Sequence, residues 1–99
     1  MARLKAAPQP LRSSQIRAAR ALLRWSAEDL ARESALGLST IKRAELADDE
    51  TSLTVVNDSA VRRALEGAGV EFIDDGGGPG VRLRKRQRLK KNRDPRKPR

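Results

Sequence analysis

Residues 25–45 read WSAEDLARESALGLSTIKRAE, and the spacing within this stretch decides the fold. Ser26-Ala27-Glu28-Asp29 has the form of a capping box, in which a hydroxyl serves the third backbone N–H and the acid there reaches back. Both acids fall in a first turn, where the helix dipole favours negative charge. The pattern predicts a helix from about Ala27 to Ser34 with Leu30 and Ala31 inward. Ala35-Leu36-Gly37 is a short break, and Gly37 is the expected N-cap of the next helix. That helix is expected from about Leu38 to Leu46, with Ile41 and Ala44 buried. Two short helices so closely spaced fit a helix-turn-helix. Small Ala31 permits a close crossing, Leu36 pins the turn, and Ile41 anchors the second helix. The opposite face would carry Leu38, Ser39, Lys42 and Arg43. A helix fits the major groove, where such side chains can reach base edges.

Upstream, Ile16, Ala19, Leu22 and Leu23 recur at helical spacing. They predict a helix that starts near Arg12 or Ser13 and ends near Arg24, with Leu11 stapled onto Ile16 if Arg12 is the cap. Arg17, Arg20 and Arg24 share one face, which suits solvation and phosphate contact equally. Trp25 reads as core, or as a cover over the end of this helix. Downstream, Asp48 to Ser52 reads as a solvated loop in preference to a divalent-cation site. A fourth helix is expected from Thr54 or Asn57, with Val61, Ala64, Leu65 and Ala68 on its apolar face and Gly69 just past its end. Val70–Ile73 and Val81–Arg84 each suit a strand. The seven residues between them, Asp74 to Gly80, include four glycines. A β-hairpin follows, with Val70, Phe72, Val81 and Leu83 toward the helices and Arg82 and Arg84 toward water or phosphate. The glycine-rich link lacks the Lys-Ser/Thr ending of a phosphate loop and has no helix after it.

Composition narrows the function classes. The 99 residues suffice for one domain, and with one Trp, one Phe and no Tyr the core must be aliphatic. There is no cysteine, hence no disulfide framework and no thiolate metal site. There is no histidine, which removes the commonest general base and metal ligand. No residues are spaced for catalysis, and neither an enzyme, a metal nor a cofactor is expected. No stretch reads as a signal peptide or a membrane span. The net charge of +9 implies an anionic partner. Its distribution matters more: residues 82–99 carry +10, whereas residues 1–81 carry −1.

The pattern S-x-E-D-L-A-x-x-S-x-L-G-x-S-T-I-x-R-x-E resembles the Cro/C1-type (XRE-like) helix-turn-helix regulators, and the resemblance spans roughly residues 11–84. The later stretch ALEGAGVEFIDDGGGPGVRLRK looks like a C-terminal extension of short bacterial members. The resemblance implies a mainly α, lambda-repressor-like bundle of four to five helices, often dimeric on a palindromic operator. Four positions depart from the family pattern: Ala27 stands where Gln is frequent, Ala35 where Gly is usual, Leu38 where polar base contacts are common, and Asp58 where an aliphatic residue is usual. The partition is then a flexible lead-in over 1–10, a helix-turn-helix domain over 11–69, a β-hairpin over 70–84 and a disordered basic tail over 85–99.

The expected function is sequence-specific binding of double-stranded DNA by a transcriptional regulator, bacterial or phage, at a cytoplasmic, nucleoid-associated location. Ser39, Lys42 and Arg43 would read bases or flanking phosphates, Leu38 would touch a thymine methyl, and Ser26 and Thr40 would donate to phosphates. Arg24, Arg82, Arg84, Lys85, Arg86, Arg88, Lys90 and Lys91 would contact the nucleic-acid backbone through counterion release. Expected partners are DNA and a second copy, with no membrane. Two other readings stay open. One is an antitoxin-like module that meets a protein through its hairpin edge or tail. The other is an RNA-binding protein that acts through the tail.

Overall fold

A computed structural model describes residues 9–74 and 76–85. The expectations for the first eight residues and for the tail, including Arg86, Arg88, Lys90 and Lys91, lie outside the described residues. Within them the chain is mainly helical. Four helices, α1 (Ser13–Leu23), α2 (Ala27–Ser34), α3 (Leu38–Leu46) and α4 (Val55–Gly67), precede the strands β1 (Val70–Asp74) and β2 (Pro79–Leu83).

Each helix start follows from its sequence. Before α1, Leu11 and Ile16 are both buried in the core, as a staple requires. Gln15 Oε1 accepts from the Arg12 backbone N–H at 3.0 Å. The guanidinium has no acceptor, so only this half of a capping box forms. At α2, Ser26 Oγ accepts from the Asp29 N–H and Asp29 Oδ2 accepts from the Ser26 N–H, so both halves are present. The α3 N-cap is Gly37, without a side-chain bond. At α4, Thr54 Oγ1 accepts from the Asn57 N–H at 3.1 Å.

Helix ends are less conventional. Arg24 and Ala35 close α1 and α2 in the left-handed region, at φ 61° and 62°. A Cβ there costs about 1–2 kcal/mol. Gly69, at φ 112°, follows α4 as expected of a C′ glycine.

The core consists of Leu11, Ile16, Ala19, Leu30, Ala31, Ile41, Ala44, Val61, Leu65 and Val70. Leu36, Trp25, Phe72 and Val81 are half-buried against it. Val70 pairs with Leu83, Phe72 with Val81 and Asp74 with Pro79 in an antiparallel ladder. The hairpin lies on α1, with β1 also beside α4.

Several expectations need correction. The strands reach further into the link than expected, to Asp74 on one side and from Pro79 on the other, while Arg84 falls outside β2. Leu83, expected toward the helices, is 45% exposed. Ala68 is the exposed cap residue of α4, not part of its apolar face. The acidic link after α3 is tied down, not merely solvated. Ser13 N donates to the Asp49 carbonyl at 2.7 Å, Ser13 Oγ donates to the Ala47 carbonyl at 2.8 Å, and Arg12 pairs with Asp49. Among the described residues no group of carboxylates could hold a metal ion. No helix among them is long and apolar enough to cross a membrane.

Candidate nucleic-acid interface

Helix α3 packs through its buried stripe on α1 and α2. Ile41 and Ala44 enter the core, and Glu45 is buried beside them. Glu45 accepts from Arg20 Nε at 2.6 Å and Nη2 at 2.7 Å, a bidentate pair between α3 and α1. Arg20 Nη1 also donates to the Trp25 carbonyl at 2.9 Å, which ties in the entrance to α2. The Glu45 carboxylate raises the Arg20 pKa above the ordinary arginine range, against the opposing effect of burial. Arg20 is therefore a structural cation. It is withdrawn from the phosphate face that its spacing with Arg17 and Arg24 suggested. Those two remain exposed.

Ser39, Lys42, Arg43 and Leu46 are exposed on α3. At about 100° per residue they fall within an arc of about 100°, opposite Ile41, Ala44 and Glu45. Leu38 and Thr40 flank this arc and are half-buried, with Leu38 against the core. The apolar residue offered to solvent is thus Leu46, at 83% exposure, not Leu38. Sequence periodicity carried the signal, since Leu46 lies four residues after Lys42 and three after Arg43. It was overlooked because a leucine at a helix end reads as core.

Charge outside ion pairs lies on the same arc, as it does at Arg17, Arg24, Arg63, Arg84 and Lys85. Arg12, Arg20, Arg32, Arg62 and Arg82 all sit in ion pairs. No ion pair among the described residues engages Lys42 or Arg43. Because Gly37 supplies no capping side chain, the first N–H groups of α3 also stay open, as an anion favours. Ser26 is exposed at the start of α2, with its oxygen occupied by the Asp29 N–H and its hydroxyl proton still available. Asp29 is held below the usual carboxylate range, first by the Ser26 backbone N–H and then by Arg32.

The hairpin cations differ from one another. Arg82 Nε donates to Glu71 at 2.8 Å across the strands, so its charge is already met. Arg84 reaches the Glu66 carbonyl at 3.4 Å, a weak contact, and has no carboxylate partner among the described residues. Arg24 and Lys85 are exposed. A cleft of about 190 Å³ between the lead-in and the hairpin is lined by Arg12, Gln15, Arg62 and Phe72 among others. Its polar groups are engaged internally: Arg62 with Gln9 and Asp58, Gln15 with Arg12 and Gly80.

Comparison with protein-family models, with curated proteins and with solved structures finds no match to this chain.

Proposed function

We propose that this chain is a sequence-specific transcriptional regulator of double-stranded DNA, with α2 and α3 acting as a helix-turn-helix in a lambda-repressor-like arrangement. The observation that carries the reading is the exposed arc of α3, which groups two cations without ion-pair partners, a hydroxyl and an apolar tip. Arg43 donates to guanine or phosphate, Lys42 to phosphate, Ser39 to either, and Leu46 meets a thymine methyl. Ser26 and the open N-terminus of α3 hold the flanking phosphates. Arg24, Arg84, Lys85 and the basic residues beyond supply charge that does not depend on sequence. A nucleoid-associated location and pairing of two copies on a palindrome belong to the same reading.

Selection of bound duplexes from a random pool, followed by footprinting, tests it. A reproducible consensus is expected, and Arg43→Ala should relax one base position at a cost of about 1–3 kcal/mol. Equal binding of structured RNA and of all duplexes, with Arg43→Ala silent, would sink the proposal.

A further inference from the structure

We propose that the outer edge of β2 is a docking site for an acidic, extended segment of another protein, which adds as a third antiparallel or parallel strand. The inference stands independently of DNA binding. It begins with hydrogen-bond parity. Arg84 N donates to the Gly69 carbonyl at 2.7 Å. With Val70 opposite Leu83, Gly69 and Arg84 are a directly bonded pair. Bonded and non-bonded pairs alternate along an antiparallel ladder. The bonded pairs are then Glu71 with Arg82 and Ile73 with Gly80. The N–H and C=O groups of Val81 and Leu83 consequently point away from β1. No other hydrogen bond among the described residues uses them.

The corresponding edge of β1 is sheltered. Val70 is fully buried, β1 packs on α4, and Arg62 covers the Phe72 ring at 5.2 Å. On β2, by contrast, Leu83 is 45% exposed and Arg82, Arg84 and Lys85 are exposed. Strand alternation puts Val81 and Leu83 on the helix side and Arg82 and Arg84 on the outer side. A fitting partner strand thus alternates too, with apolar residues beside Val81 and Leu83 and acids beside Arg84. A second copy of β2 is disfavoured, since it would bring its own Arg84 and Lys85 against these. Residues 86–99 add eight more Lys/Arg and one acid, which deepens the preference for an acidic partner.

The probe is an eight-residue peptide that alternates glutamate and valine, titrated into the isotope-labelled full chain and followed by amide shifts. Saturable shifts centred on Val81 and Leu83 are expected. Val81→Pro removes one outward N–H, keeps the bonds to β1 at the cost of some Val81 packing on the core, and should weaken binding at least tenfold. Leu83→Lys is the second variant, at a position exposed enough to tolerate it. It adds positive charge, so general charge attraction predicts tighter binding, whereas edge docking predicts at least tenfold weaker binding. A peptide with lysine in place of glutamate should also bind at least tenfold more weakly. Shifts confined to residues 86–99, tighter binding by Leu83→Lys, or no shift at 2 mM peptide (about the weakest affinity still worth calling binding) overturns the proposal. So does a dimer of the free chain that Val81→Pro dissociates, which would give the edge to a second copy.

Discussion

Leu46 and Ala35 show how a single side chain divides stability from function. Leu46 makes little contact with the fold at 83% exposure. Leu46→Ser is therefore expected to leave unfolding free energy within about 0.5 kcal/mol. It should lower affinity for a thymine-containing consensus site by about 1 kcal/mol, read by titration of the selected duplex. Ala35 behaves in the opposite way. Its φ of 62° suits glycine, and the residue is exposed. Ala35→Gly is expected to stabilise by about 1 kcal/mol in urea unfolding, with DNA affinity unchanged. Both residues stood in the sequence, but with different clarity. The departure of Ala35 from glycine was visible, whereas the exposure of Leu46 depends on where α4 and the link happen to lie.

At the scale of elements, the start of α2 is the best-built junction in the chain. Ser26→Ala should cost about 1 kcal/mol through loss of the cap. Asp29 adds a pH dependence whose sign is fixed. Its folded pKa lies below the ordinary value, so its contribution is present above the usual carboxylate range and disappears as pH falls through the lowered value. Asp29→Asn should flatten that part of the stability profile between neutral and acid pH. The pair between α1 and α3 is worth more. Arg20 keeps 23% of its side-chain exposure, so Glu45→Ala is expected to cost about 2 kcal/mol, below the 3–5 of a fully buried pair. All four helices and the hairpin were legible from caps, apolar spacing and glycines, because those signals are local. The polar stitches were not. Arg20 with Glu45, Leu11 with Asp58 and Ser13 with Ala47 join positions 25, 47 and 34 residues apart, and no periodicity reports such partners. The same blindness made Arg20 look like a surface cation.

For the whole molecule, charge is split more sharply than structure. Residues 1–81 carry −1 and residues 82–99 carry +10. If the tail engages about six phosphates, removal of residues 86–99 should flatten the log–log salt dependence of DNA binding by about 5. On the proposed reading, which puts base contacts on α3, sequence preference should survive. A slope unchanged by the truncation would place the phosphate contacts on the helices instead. The split also explains why pI alone says little about the charge of the folded part.

The beginning of α1 has local bonds between Arg12 and Gln15 but also leans on residues far downstream: Leu11 N–H on Asp58, Ser13 on Ala47 and Asp49, and the Gln15 side-chain amide on the Gly80 carbonyl. During synthesis this segment emerges before the downstream residues that complete it. At about 5–20 residues per second, the 65 positions from Gln15 to Gly80 take roughly 3–13 s to emerge. Throughout that interval α1 keeps its apolar stripe and its opening amides without their final partners. The long-range bonds of α1 thus close only once the hairpin has emerged.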